Sequence, residues 1–325
     1  MGSTNGGRIE ARPYEPHDGE AWDALAARAP MASFLHTRRF LGYHGDRFDD
    51  ASLVLTDRGG MIAVLPAALD PDDPSRVVSH PGATFGGLVH DGSLTGERAL
   101  AAIRAAASAY AERGLQTLAY KPVPWIYHRV PSDDDLYALF RLGTARTRVE
   151  LSCAIELSRR REPRPRRRRG LRKAVSRGLQ LSEALELVPE FWRVLERNLA
   201  LRHDARPVHT VEEILRIQEL FPEGVRFVIG IVDGTVVAGT VLFTTQPVVH
   251  AQYMACDERG REICALDGVL EHCIDEAEMQ GHRFFDFGIS TENGGSAMNA
   301  GLYTFKREFG GGGVRYETYE HSLRC

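Results

Sequence analysis

ASLVLTDRGGMIAVLPAAL at residues 51–69 is matched by RFVIGIVDGTVVAGTVLF at residues 226–243. Each is an apolar, β-branched run broken by an Asp/Gly turn, the pattern of a β-hairpin. Each also carries G-x-x-x-A at the start of its second strand, Gly59 to Ala63 and Gly234 to Ala238. Outward from the hairpins the agreement continues. A short strand follows each (RVVSHPGATFGGLV, VVHAQYMAC), then apolar residues three and four apart predict helices over roughly 96–113 and 263–280. Both helices stop at a glycine, Gly114 or Gly281, where a left-handed residue closes a helix. Strands LQTLAYKPV and HRFFDFGIS come next, then short helices LYALFRLG (136–143) and LYTFKREFG (302–310), then final strands RVELSCAIEL and VRYETYEHSL.

Counterpart landmarks lie 175 (Gly59, Gly234), 167 (Gly114, Gly281) and 166 residues apart (Leu136, Leu302), a near-constant offset that indicates a duplicated unit. Hairpin, strand, helix, strand, helix, strand, approached through a helix such as SEALELVPEFWRVLERNLALRH, reads as an α/β (α+β) fold. Two tandem acyltransferase-like domains are expected, each a mixed β-sheet flanked by helices. The expected boundaries are 8–158 for the N-terminal domain, 159–177 for a basic linker or helix, and 178–325 for the C-terminal domain.

The 325 residues suffice for two domains, and 43% hydrophobic with 26% charged content argues against wholesale disorder or a coiled-coil rod. Five cysteines without a C-x-x-C pair and twelve histidines without H-E-x-x-H spacing suggest neither a disulfide framework nor a metal site, so a reducing cytoplasm is expected. The longest apolar stretch, MIAVLPAAL, is far below the roughly 18 residues of a membrane span.

The formal net charge of −4 conceals a segregated segment. RRREPRPRRRRGLRKAVSR (159–177) holds ten Arg and one Lys against one Glu, a net +10 that leaves about −14 for the rest. Arg166, Arg167, Arg168, Arg169, Arg172 and Lys173 are therefore candidates for holding tRNA or another polyanion, since such cations neutralise phosphates and release counterions. A solvated linker entering a basic helix fits the same composition, with Pro163 and Pro165 keeping its start irregular. No aromatic residue interleaves the run, so base stacking is not indicated.

The basic helix RGLRKAVSRGLQL, the strand FFDFGIST and the ending NAGLYTFKREFGGG resemble the FemABX family over most of the chain. The F-K-x-x-F-G element, Phe305, Lys306, Phe309 and Gly310, is the most specific part of the likeness. The resemblance implies two GNAT-type domains in a smaller, FemX-like build, without the helical-hairpin arm of some relatives, since one helix of ordinary length is expected after Gly178. It implies transfer of an aminoacyl group from aminoacyl-tRNA to an amine of a peptidoglycan precursor or peptide, with no cofactor beyond the donor. It also implies an oxyanion role for Lys306, substrate contact for Phe305 and Tyr253, and a cation for a nucleotide-diphosphate precursor near Arg38 and Arg39.

An amine attacking an ester or thioester carbonyl builds charge on the oxygen, so the site needs a cation or preorganised donors there and a route for the amine proton. Helical spacing brings Tyr303, Lys306 and Arg307 within reach of one another, and the alternative for Lys306 is a surface residue balancing Glu308. Asp286 sits in the apolar run FFDFG, where an unpaired carboxylate is costly; it is either paired, with Arg283 or a backbone turn, or it is the general base. In RHDARPVHT, Arg202 and His209 are substrate-loop candidates ahead of a T-x-x-E capping box, Thr210 and Glu213. Tyr253, on a half-buried strand, fits the core equally well.

Two rival readings remain. An acyl-CoA-dependent N-acyltransferase would hold the pyrophosphate on a Q/R-x-x-G-x-G/A loop at a helix start. The stretch DERGREICALDG (257–268) has Gly260 but no G-x-G/A. A catalytically inactive tRNA- or polyanion-binding module is the non-enzymatic reading, against which the intact motif around Lys306 weighs.

Overall fold

The computed structural model describes residues 8–203 and 205–324. The first copy of the repeat runs β1 (Ile9–Pro13), α1 (Gly19–Arg28), α2 (Arg38–Leu41), β2 (Leu53–Asp57), β3 (Gly60–Leu65), β4 (Ala68–Asp70), β5 (Asp73–Val78), β6 (Val89–His90), α3 (Glu97–Glu112), β7 (Thr117–Tyr120), α4 (Asp134–Arg141) and β8 (Ala145–Glu156). The second begins with α5 (Pro165–Ser176), β9 (Gln180–Ser182), α6 (Val188–His203), α7 (Val211–Leu220), β10 (Val225–Val232), β11 (Thr235–Thr244) and β12 (Val248–Cys256). It continues through α8 (Glu258–Ile263), α9 (Ala265–Met279), β13 (Phe284–Ile289), a small pair β14 (Thr291–Glu292) and β15 (Ala297–Met298), α10 (Ala300–Arg307) and β16 (Gly312–Ser322).

Both hairpins turn on two residues with positive φ, Arg58 (52°) with Gly59 (81°) and Asp233 (50°) with Gly234 (73°). That is the tight turn whose twist matches paired strands. Each hairpin also contains one bulge, at Leu55/Thr56 and at Gly230/Ile231. Helices α3 and α9 close alike. Gly114 and Gly281 take φ of 82° and 81°, and Leu115 and His282 each donate back to a carbonyl five residues earlier, Tyr110 and Ala277. The landmarks of the sequence repeat therefore fall on counterpart elements.

The strands form mixed sheets. In the first copy β1, β2, β3 and β6 pair antiparallel, while β5 lies parallel to β7. In the second, β9 to β12 are antiparallel and β12 lies parallel to β13. Apolar faces of α3 (Leu100, Ile103, Tyr110) and α9 (Val269, Leu270, Ile274) each cover one core.

The chain divides into two units, Met1–Val149 with Arg315–Cys325, and Glu150–Val314. This partition differs from the expected boundaries at 158 and 178. The reason is the last strand of each copy: β8 pairs with β13 through residues 152–156, and β16 pairs with β7 through residues 319–322. One helix, α6, follows β9, and α7 opens at the expected capping box, in which Thr210 and Glu213 exchange side-chain and backbone bonds.

The basic segment is not a solvated linker along its length. Arg160 bonds the Phe309 carbonyl at 3.0 Å and Glu271 at 2.8 Å, and α5 lies tightly on α9. A Cβ on Gly170 would stand 1.9 Å from Asp267 Oδ2, and that carboxylate is clamped by Arg167 Nη1 at 2.5 Å. Gly170→Ala should therefore cost about 1–3 kcal/mol by overpacking, read as a lower urea midpoint with the slope unchanged.

Candidate functional site

Strands β12 and β13 are paired at Val248/Phe284, Val249/Phe285 and His250/Asp286. Beyond those pairs β12 continues beside β11, while β13 is bulged against β8 between Asp286 and Ile289. Gly288 takes φ 74° in that bulge. The ladder is thus interrupted on both sides of β13, and the polar groups of the site gather at the interruption.

Asp286 is fully buried. One carboxylate oxygen accepts from the Ser152 hydroxyl and from the Gly288 amide at 3.1 Å, and the other lies 3.0 Å from His250 Nδ1. The carboxylate is thus paired, with neither Arg283 nor a turn alone but with a histidine and a serine. A group enclosed by these donors is placed to orient His250, which retains 11% side-chain exposure.

Lys306 enters from α10, whose start is capped by Asn299 accepting from the Leu302 amide at 3.0 Å. Phe309, one turn on, is buried against Phe287, which turns Lys306 inward as well. The lysine is 3% exposed, and Nζ donates to the Gly288 carbonyl at 2.9 Å and the Ile289 carbonyl at 2.6 Å. An ammonium has three N–H bonds, so these two leave one. Burial lowers its pKa to about 8, opposed by the charge of Asp286. The alternative of a surface lysine balancing Glu308 does not hold, since Glu308 lies 3.1 Å from Arg167 Nε. Cys153, on β8, is pushed up to about 12 by burial and stays a thiol, so it is no nucleophile.

The first copy is blank at the counterpart positions. Strands β5 and β7 pair in the same parallel manner, but the third pair is Val78/Ala119 where the second copy has His250/Asp286. Aligning α4 with α10 on their Leu-Tyr starts puts Phe140, 77% exposed, where Lys306 stands. The ionisable constellation belongs to the second copy alone.

Other sequence candidates are distributed more widely. His209 and Tyr253 come together, ring nitrogen Nδ1 to hydroxyl at 2.7 Å, with Tyr253 also edge-on to Trp192. Arg202 lies on α6, with its side chain outside the described residues. Phe305, half-buried, stacks edge-on with Phe309 and lies beneath the Arg167 guanidinium at 4.8 Å, a contact between α5 and α10. Arg167 itself is buried between Asp267 and Glu308, unlike the exposed Arg166, Arg168, Arg169, Arg172 and Lys173. Arg168 pairs with Glu162. In the first copy Arg38 is engaged by Asp50 and lies 3.7 Å over the Tyr14 ring, whereas its neighbour Arg39 is exposed.

His250 and Ser152 were missed by the sequence reading. The available signal was a histidine inside the apolar run VVHAQYMAC, which calls for a partner by the same logic applied to Asp286. Among the described residues no three or more His, Cys, Asp or Glu side chains gather as a metal would require. No helix among them is long and apolar enough to cross a membrane.

The segment where a CoA loop was sought is the helix α8. Asp257 caps it, its carboxylate accepting from the Gly260 amide at 2.6 Å. A groove of about 620 Å³ opens beside it, lined by Arg197, Arg259 and Arg261 against Asp257, Glu258 and Glu262. Its ionised lining is balanced, with a carboxylate already seated at the helix start.

Comparison with known proteins places these features in a family of folds. A family profile described as an acetyltransferase (GNAT) domain matches residues 158–307. No curated protein sequence matches the chain. Among solved structures, FemX superposes with a TM-score of 0.70 at 11% identity, covering 96% of this chain and 97% of that one. L-PGS from Bacillus licheniformis follows at 0.63 and 13%, over 97% and 94% of the two chains. A tandem GNAT protein from the clavulanic acid biosynthesis pathway gives 0.56 and 12%, over 98% and 99%. In fold, then, the chain is a pair of tandem GNAT-like domains, built like FemX.

Proposed function

We propose that the protein transfers an aminoacyl group from aminoacyl-tRNA to an amine of a peptide or peptidoglycan-precursor-like acceptor, forming an amide. The observation that carries this reading is Lys306, a buried ammonium with one N–H left, at the bulge of β13. As the amine adds to the ester carbonyl, the oxygen becomes an anion, and a fixed cation in a dry site stabilises it more than the ground-state carbonyl. The tetrahedral intermediate then collapses, the ester C–O bond breaks, and the ribose hydroxyl of the tRNA leaves.

The donor assignment draws on the FemABX resemblance and on charge. Helix α5 turns Arg166, Arg169, Arg172 and Lys173 to solvent, a row suited to the phosphates of a tRNA. Arg167 does not belong to that row, because it is committed to Asp267 and Glu308. Replacing the four exposed cations by Gln should weaken tRNA binding and reduce the slope of log affinity against log salt by about 0.7–0.9 per lost phosphate contact. Unchanged affinity at low salt would remove α5 from the donor site.

An acyl-CoA donor is the second reading, favoured by the acetyltransferase description of the matching profile. The Asp257 carboxylate at the start of α8 weighs against it, since a pyrophosphate would meet a negative charge where it needs an N–H group. Mass spectrometry of products formed with charged tRNA and with acyl-CoA, in parallel on one amine acceptor, separates the two.

A further inference from the structure

We infer that His250 is the general base that receives the proton of the attacking amine, with Asp286 as its positioning residue. The inference rests on the acyl transfer proposed above, and it is independent of which donor supplies the acyl group.

The geometry is that of a fixed imidazole. Asp286 is fully buried, and its Oδ2 lies 3.0 Å from Nδ1 of His250. Ser152 and the Gly288 amide both donate to Oδ1, so the carboxylate cannot rotate away. A carboxylate facing Nδ1 keeps the proton there and makes Nε2 the acceptor. Gly288 stands between the base and the cation. Its carbonyl accepts from Lys306, and a Cβ on it would lie 3.3 Å from His250 Cε1. The lysine and the histidine thus flank one residue of the bulge, as a base and an oxyanion donor must when they serve one carbonyl. The paired positions in the first copy, Val78 and Ala119, lack both groups.

The step balances as follows. The amine nitrogen bonds to the carbonyl carbon and releases one proton to His250 Nε2. On collapse the acyl C–O or C–S bond breaks, and that proton passes to the leaving oxygen or sulfur, so His250 ends neutral. The carboxylate against the imidazole is Asp286 on β13; Lys306 on α10 bonds the neighbouring Gly288 carbonyl, and Cys153 on β8 lies in the field of Asp286 and Lys306. Cys153 remains a thiol, and the lysine bounds the working pH window from above.

Two variants and two readouts test this. His250→Gln should lower kcat by about 10²-fold or more with KM little changed, and should abolish the rise of rate with pH on the acidic side. Asp286→Asn should lower kcat less and move that rise. Rates are taken as ratios to wild type with whichever donor, aminoacyl-tRNA or acyl-CoA, turns over, so a wrong donor assignment leaves the result intact. Nitrogen-15 NMR of the labelled, substrate-free protein supplies the second readout. Neutral His250 should carry its proton on Nδ1, and Asp286→Asn should shift the tautomer. Near-normal kcat with an unaltered pH profile in His250→Gln would overturn the inference, as would a wild-type imidazole protonated on Nε2.

Discussion

Lys306→Met is expected to slow acyl transfer by about 10²–10³ while leaving donor affinity near its wild-type value. A cation aimed at a developing oxyanion gains most as the charge forms, so its loss falls on the rate rather than on ground-state binding. Single-turnover transfer and donor binding, measured on both proteins, separate the two. Folding should survive, because methionine keeps much of the stem. The protonation balance points the same way. Burial lowers Lys306 to about 8 from its ordinary 10.5, so between those values the unfolded chain binds more protons, and this residue's contribution to stability rises with pH across that window. At neutral pH the buried charge is a cost, and the loss on substitution is confined to the bonds with Gly288 and Ile289. Activity runs the other way: the oxyanion needs the ammonium, so the rate should fall as pH rises through about 8. Lys306→Arg, which stays charged, should carry the rate to higher pH if it fits. Near-normal transfer by Lys306→Met would remove the lysine from the chemistry.

The largest effect on stability is expected at Arg167. The guanidinium and Asp267 are 7% and 6% exposed and meet at 2.5 Å, with Glu308 on the other side. Burial pushes the Asp267 carboxyl up to about 6 even with the cation beside it. Removing one partner of a buried pair leaves the other charge uncompensated, at about 3–5 kcal/mol. Arg167→Gln should therefore lose several kcal/mol in urea unfolding, whereas Arg166→Gln, one residue away and exposed, should lose almost nothing. A shared, small effect would mean that α5 is not pinned to α9 by this pair. The contrast also separates binding from folding in any charge-removal study of the helix. A variant that includes Arg167 would weaken polyanion binding by loosening the helix, whatever the other arginines do.

Much of the fold was legible because its signals are local. Asp233-Gly234 and Arg58-Gly59 impose their turns within two residues, and Gly114 and Gly281 end their helices within one. Thr210 and Glu213 cap α7 across a single turn. The unread parts depend on pairings far apart in the chain. His250 and Asp286 are 36 residues apart, and only the parallel register of β12 and β13 makes them neighbours. The sequence reading reached Asp286 by the cost of a lone carboxylate and left it as either a paired group or the base. In the structure the adjoining histidine is the group with some exposure. Arg167 was grouped with its neighbours because composition does not distinguish the faces of a helix. Its inward face was written in Gly170 and Ala174, three and seven residues on, small enough to admit α9. Phe305, whose expected substrate contact came from the family likeness, also packs against that same arginine, at 4.8 Å.

The crossing of the two final strands has a consequence for how such a chain can evolve. After a duplication, one copy is ordinarily free to decay or to be lost. Here β8 completes the sheet that holds Asp286, and β16 pairs into the sheet of the first copy. Deleting the first copy with its last strand would strip the second of Ser152 and of the strand that pairs with β13. Neither copy therefore keeps its full set of paired strands if the other is lost, so the first copy's backbone is held in place even though its counterpart positions are Val78 and Ala119.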